Sequence, residues 1–237
     1  MEHFRWHPSA TWFAHLFKAV CKQHHKEDLP LLRKVIPVDG VVLDVGAHAG
    51  QFAKLYASIA QRGRVYAFEP GGYARSILRP AIFFNRYRNV TILPVGLGDR
   101  AGVEALTLPV KRKGSYGFGL AHLGAQTRWA ESRIEIVAIA TLDDVFPKLG
   151  ETRIDFLKAD IEGWELHMIR GARETLTRYR PIMMLEMVDA HLQRAGDTLA
   201  DAYATLSGLN YRPHIFKGAD FVPVEGIIEG DIWWRPI

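Results

Sequence analysis

An apolar run, Val41 to Val45, carries a single carboxylate at Asp44 and enters a turn holding Gly46 and Gly50 before a helical pattern starts at Gln51. This strand, glycine turn and helix constrain the fold more than any other stretch of the chain. Glycine is needed where a backbone turns sharply or lets a ligand approach with no Cβ in the way. The alternation then continues. Strands are predicted at Arg64–Phe68, Val90–Val95, Ile154–Ala159, Pro181–Met187 and Tyr211–Phe216. Helices are predicted at Gln51–Ala60, Tyr73–Asn85, Trp164–Tyr179 and Thr198–Ser207. Short β-rich runs alternating with helices mark βαβ crossovers, and so a parallel sheet with helices on both faces. A last apolar segment, Ile227–Arg235, reads as one more strand, and its Trp233-Trp234 pair as packing against the sheet.

Two regions depart from this rhythm. Thr11 to Asp28 reads as an amphipathic helix, with Trp12, Leu16, Ala19 and Val20 at helical spacing. Pro30 and Pro37-Val38-Asp39-Gly40 then punctuate the chain. Residues 1–40 are therefore assigned to an N-terminal helical extension, a natural lid over an acceptor site, and residues 41–237 to the main domain. Between Gly98 and Thr141 two further strands, Val103–Val110 and Ile134–Ala140, flank a connection holding Lys111-Arg112-Lys113, Gly114, Gly117, Gly119, His122 and Gly124. Connections longer than about 12–15 residues tend to be functional, and the three basic side chains read first as a solvated tip.

Composition narrows the classes. Apolar residues make up 48% of the 237, enough for a sizeable core. One cysteine, Cys21, excludes an intrachain disulfide and suits a reducing, cytoplasmic setting. No apolar run approaches the ~20 residues of a membrane span, and Met1–Pro8 has no signal-like core. The net charge of +4 reads as mild and dispersed, without the concentrated basic face of a nucleic-acid partner. Five of the ten histidines crowd the first 25 positions without ligand spacing, so no metal site is expected.

The chemistry-bearing residues fall at strand ends. Glu69 closes the second strand 25 residues after Asp44, where a carboxylate accepts both hydroxyls of a ribose. Gly96-Leu97-Gly98-Asp99 follows the third and admits a flat base. Together they point to an adenosine-bearing cofactor. A nicotinamide dinucleotide wants Gly-x-Gly-x-x-Gly, but His48 and Gln51 hold the second and third glycine positions. Asp44 at the mouth of the turn would repel a pyrophosphate and attract the ammonium of a methionine moiety. That favours S-adenosylmethionine. An NAD-linked oxidoreductase and a non-catalytic cofactor-binding scaffold acting through a protein partner stay open as alternatives.

From Val41 to Trp234 the sequence resembles the FkbM-type S-adenosylmethionine-dependent methyltransferases. The likeness rests on VVLDVGAHAGQFA (Val41–Ala53), VYAFEP (Val65–Pro70), VGLGD (Val95–Asp99), TLDDV (Thr141–Val145), IDFLKADIEGWELHMIRGA (Ile154–Ala172) and PIMMLEM (Pro181–Met187). His48 departs from it, since many members have asparagine there. The resemblance implies an α/β, Rossmann-like class I methyltransferase fold: a seven-stranded, mostly parallel sheet with an antiparallel C-terminal strand and helices on both faces. It implies that Asp44, Gly46, Ala47, His48 and Gly50 shape the methionine end of the cofactor site. Glu69 and Pro70 would then hold the ribose, and Gly96, Leu97 and Asp99 would line the adenine. Asp160 and Glu162 would face the methyl group, Asp160 also binding the cofactor. Asp160, the leading candidate, Glu162 and Glu186 are the candidate catalytic carboxylates, with His191 and His122 as further candidate bases. No spacing demands a divalent ion among the three acids. The acceptor implied is a small molecule, a glycan or a secondary metabolite, methylated on oxygen; a homo-oligomer stays open.

Overall fold

The computed structural model describes residues 9–109, 121–124, 132–217 and 220–237. In chain order it runs α1 (Ala10–Cys21), α2 (Leu29–Val35), β1 (Val41–Val45), α3 (Gln51–Ile59), β2 (Arg64–Phe68), α4 (Gly72–Phe84) and β3 (Val90–Leu93). A middle region follows: β4 (Gly96–Leu97), β5 (Gly102–Pro109), β6 (His122–Leu123), β7 (Ser132–Ala140) and α5 (Leu142–Val145). Then come β8 (Phe156–Ala159), α6 (Glu165–Arg170), α7 (Arg173–Tyr179), β9 (Ile182–Met187), α8 (Asp189–Arg194) and α9 (Leu199–Gly208). The chain closes with β10 (Tyr211–Lys217), β11 (Asp220–Pro223) and β12 (Gly230–Pro236).

The main sheet has the order β11-β10-β12-β9-β8-β1-β2-β3. Strands β3, β2, β1, β8 and β9 are mutually parallel, and β12 inserts antiparallel between β9 and β10. The expected parallel sheet with a reversed C-terminal strand is therefore present. An eighth strand is added because β11 folds back on β10 as a hairpin. Every residue of β1 is buried, since helices cover both faces, and a strand buried twice shows no polar alternation. Trp233 and Trp234 show the period of two. Trp234 packs edge-on to Tyr203 in one core, while Trp233 meets Phe156 and Phe221 in the other.

Three expectations change. The N-terminal helix stops at Cys21, and Pro30 lies in the first turn of α2, where a missing N–H costs nothing. The helix expected over Trp164–Tyr179 breaks at Gly171, whose backbone lies so close to Gly98 that a Cβ would stand 1.9 Å from the Gly98 carbonyl oxygen. The two strands of the middle region stay out of the main sheet. Gly102–Pro109 and Ser132–Ala140 pair antiparallel, with β4 and β6 at their flanks, as a separate four-stranded sheet. Lys111, Arg112, Lys113, Gly114, Gly117 and Gly119 lie outside the described residues.

The N-terminal segment is fastened by polar contacts as well as packing. Buried Lys54 donates to the carbonyls of Ala19 and Lys22, at 2.5 and 2.8 Å, satisfying groups that the end of α1 leaves open. The Trp12 indole donates to Ser76 Oγ at 2.9 Å, and His15 meets the Tyr73 hydroxyl at 3.0 Å. Among the described residues, no helix is long and apolar enough to cross a membrane.

Candidate active site

A crevice enclosing about 250 Å³ opens over the carboxyl ends of β1, β2 and β8, where open α/β sheets bind their ligands. Its floor is the turn after β1. Gly46 has φ +79°, and a Cβ there would lie 2.1 Å from the Asp160 carbonyl oxygen, so only glycine lets the β1 and β8 turns touch. His48 also adopts a left-handed conformation, φ +54°. This aims its N–H at Glu69 Oε2, 2.8 Å away, while the Gly71 N–H reaches Oε1 at 2.8 Å. Glu69 is thus clamped by two backbone donors, each oxygen keeping a lone pair. Burial pushes its carboxyl up to about 7 against the pull of those N–H groups.

Asp44 is completely buried, and neither oxygen takes a hydrogen bond. Burial pushes its carboxyl up to about 6, with Lys158 pulling the other way and the Ala53 N–H helping without reaching hydrogen-bond geometry. Lys158, itself buried, donates to Asp160 Oδ2 at 2.9 Å. Its ammonium stands 4.6 Å from the centre of the Phe52 ring, which in turn stacks on His25 at 4.4 Å. Burial would raise the Asp160 carboxyl, but the charge and hydrogen bond of Lys158, with His48 behind them, hold it below the usual range.

A second group lies beside this floor. His191 Nδ1 is 3.5 Å from both Glu162 Oε2 and Glu186 Oε2. Arg194 reaches the Glu162 carbonyl oxygen at 2.8 Å. The approach of α8 to the β8 turn depends on Gly163, φ +105°, where a Cβ would lie 2.2 Å from the His191 carbonyl oxygen. Burial and the charge of Asp160 push Glu162 up to about 6. The same two causes, with Glu162, push Glu186 up to about 7. Among the described residues, Glu162, Glu186 and His191 form a set close enough to share a metal ion, their donor atoms lying within 4.8 Å of one another. Arg194 also brings a positive charge to within 3.7 Å of Glu162 Oε2.

Of the residues singled out in the sequence, Asp44, Gly46, Ala47, His48, Glu69, Pro70, Gly96, Leu97, Asp160 and Glu162 line the crevice. Gly50 shapes it from behind: φ is +82°, and a Cβ would strike Leu78 at 2.5 Å. Asp99 is not on the wall, its carboxylate lying 3.3 Å from His167 Nδ1 on α6. Glu186 stands behind Glu162, and His122 is buried in β6 opposite Thr107. Sequence reasoning passed over Lys158, His25 and the apolar wall of Leu106, Leu108 and Leu123 contributed by the small sheet. Lys158 did leave a signal, as the one charge inside an apolar strand.

A mostly parallel sheet whose reversed strands, β12 and β11, lie at its C-terminal side, an acid without a hydrogen bond near the end of β1 and a clamped acid just after β2 define a class I S-adenosylmethionine-dependent methyltransferase. The methyltransferase FkbM domain model matches residues 44–213, and the chain belongs to that family; its methyl donor is S-adenosylmethionine. The antimetabolite synthetase AmbE of Pseudomonas aeruginosa is 30% identical over 83% of this chain and 10% of its own length. Methyltransferase sdnD of Sordaria araneosa is 26% identical over 59% of this chain and 62% of its own. The 2-O-methyltransferase NoeI of Sinorhizobium fredii is 26% identical over 66% and 65%. The chain thus spans a tenth of the first relative and just under two thirds of the other two. Among solved structures, methyltransferase FkbM of Methylobacillus flagellatus superposes with a TM-score of 0.51 at 15% identity, covering 94% of this chain and 58% of that one. SMU.1697c of Streptococcus mutans, solved in complex with SAH, gives 0.52 at 10% identity, covering 91% and 99%. At such identities the likeness is one of fold.

Proposed function

We propose that the chain methylates a hydroxyl oxygen of a small-molecule acceptor, a glycan or a secondary metabolite, with Glu162, Glu186 and His191 taking up the proton that the hydroxyl loses. The observation that carries this reading is the cluster at the crevice floor, with His191 Nδ1 3.5 Å from both Glu162 Oε2 and Glu186 Oε2 and Glu162 on the lining, where burial and the charge of Asp160 raise both carboxyls. Removing a proton from an alcohol calls for a base whose pKa lies near the working pH. The name of NoeI, a 2-O-methyltransferase, points the same way.

S-adenosylmethionine, when bound, supplies a methyl group on a cationic sulfonium that is already activated for displacement. The residues present fit that group. Unpartnered Asp44 is a counter-charge for an ammonium, and the two free lone pairs on Glu69 suit neighbouring hydroxyls. Leu97, Leu106 and Leu108 offer an apolar wall for a base. Lys158 keeps Asp160 ionised, which suits Asp160 to recognising the charged end of the cofactor better than to accepting a proton. Glu162, on the crevice lining, is then the group that meets the acceptor, and Glu186 and His191 behind it pass the proton outward.

A radiolabelled-methyl screen against glycans, nucleotide sugars and hydroxylated metabolites tests the reading, with the labelled atom located by NMR. Label on an acceptor oxygen is expected. Label on nitrogen, or tight binding of S-adenosylhomocysteine with no turnover on any acceptor, would overturn it.

A further inference from the structure

Thirty basic residues against twenty-six acidic ones read from the sequence as a dispersed excess. Among the described residues, four of the basic side chains meet at one place. Arg62, Arg64, Arg86 and Arg88 line one open cleft of about 610 Å³, with no aspartate or glutamate on its wall.

The topology explains the clustering. Arg64 opens β2 and Arg62 stands two residues before it; Arg86 and Arg88 occupy the turn leading into β3. The strands are parallel neighbours with Val65 beside Val90, so two Arg-x-Arg pairs separated by more than twenty residues meet at one sheet end. The cleft is braced by other groups. The Asn89 side chain donates to the carbonyls of Ala57 and Ala60, at 3.1 and 2.8 Å, tying the β3 turn to the end of α3. Arg86 sits in the left-handed region at φ +60°.

None of the four guanidinium groups makes a hydrogen bond or ion pair among the described residues. Other arginines do: Arg153 is bonded to Asp155, Arg170 to Asp197 and Arg75 to the Glu69 carbonyl. Asp39, whose backbone lies against Gly63, has its carboxylate 3.5 Å from Arg153. Arg64 is also felt by the Tyr66 hydroxyl, which bonds to Glu151, whereas Arg62, Arg86 and Arg88 line the cleft with no acid on its wall; like charges around one cleft repel, and an anion relieves that repulsion. The guanidinium fork matches phosphate oxygens two at a time, and an anion with several phosphate groups engages both pairs at once.

We propose that this cleft binds a multiply phosphorylated anion. It lies at the amino ends of β2 and β3, and the crevice lies at their carboxyl ends. A five-residue strand separates the two by roughly 17 Å, so an anion held here stands clear of the transferring methyl group and anchors a ligand or effector. The inference does not depend on the identity of the methyl acceptor.

Calorimetric titration of the whole chain with inorganic tripolyphosphate at low salt tests it, beside a single-stranded oligonucleotide and the variant Arg62→Glu/Arg88→Glu, which takes one arginine from each pair. Saturable binding of tripolyphosphate is expected, weakened by added salt and about tenfold or more weaker in the variant. S-adenosylhomocysteine affinity should be unchanged. If the reversal unfolds the chain, Arg62→Gln/Arg88→Gln carries the same comparison. No saturable binding, or equal binding by a folded variant, overturns the proposal. So does an oligonucleotide that binds far more tightly than tripolyphosphate, which would make the partner a nucleic acid.

Discussion

Asp44 and Lys158 stand side by side in register on β1 and β8, both buried, yet the lysine bonds to Asp160 at 2.9 Å and neither Asp44 oxygen takes a hydrogen bond. The adjacent strand brings a cation close and then commits it elsewhere. What remains is a buried carboxylate with unused accepting capacity at the crevice floor.

Asp44→Asn should therefore separate stability from binding. Burial raises the Asp44 carboxyl from an ordinary 3.8 to about 6 in the folded chain. Its stabilising contribution is full below the unfolded value and is lost as pH rises through about 6. At neutral pH the charge costs on the order of 3 kcal/mol in the absence of a cationic ligand. The variant is expected to melt several degrees higher at pH 7.5 in the ligand-free state, yet to bind S-adenosylhomocysteine about tenfold or more weakly. Scanning calorimetry and titration check the two arms; lowered stability with full affinity would contradict the assignment.

The proton-accepting role of Glu162 and Glu186 carries a pH signature. With carboxyls near 6 and 7, both are protonated where ordinary carboxylates are not, so kcat/KM should climb as pH rises through that interval. Glu162→Gln is expected to lower turnover by about 10²–10⁴-fold, and Glu186→Gln to lower it less while flattening the upper part of the climb. Affinity for S-adenosylhomocysteine should hold. A profile flat from pH 5 to 8 in the unaltered enzyme would remove the carboxylates from the proton path.

Gly46 and Gly150 share a left-handed backbone, with φ of +79° and +74°, and differ in their surroundings. A Cβ on Gly46 meets the Asp160 carbonyl oxygen at 2.1 Å, while one on Gly150 meets nothing within 4 Å. Gly150→Ala should cost only the backbone strain, about 1–3 kcal/mol. Gly46→Ala should cost visibly more in denaturant unfolding and should lose S-adenosylhomocysteine binding, because the β1 and β8 turns must separate.

Lys54→Met removes the ammonium that closes the end of α1. Two carbonyls lose their donor, a loss of about 1–3 kcal/mol. Hydrogen exchange should accelerate within Ala10–Cys21 and leave the β1 and β8 amides protected. Cofactor affinity should fall with it, since His25, a few residues beyond the fastening, lines the crevice. Uniform acceleration across the sheet would show instead that Lys54 supports the whole core.

Much of the site was readable because its parts are local. Strand, turn and helix around Asp44, Gly46 and Gly50 occupy a dozen consecutive residues, and glycine and carboxylate report their backbone and charge requirements directly. Glu69 was readable for the same reason, as the terminal acid of an apolar run. Asp99, expected beside the adenine, lies off the crevice lining because its side chain turns to His167 in α6, a contact across nearly seventy residues. The middle strands were recognised as strands, but nothing in their own alternation tells which sheet they join.

Residue order alone thus determined the α/β alternation and the two acids near successive strand ends, since each follows from interactions among near neighbours, and it favoured a methyl donor over a dinucleotide. Packing decided the rest. The pairing of Lys158 with Asp160 instead of Asp44, the apolar wall lent by the small sheet, the convergence of Glu162, Glu186 and His191, and the gathering of four arginines into one cleft all join segments distant along the chain. Such contacts form only when burial of the shared core brings those segments together, so their charges and distances are properties of the assembled sheet.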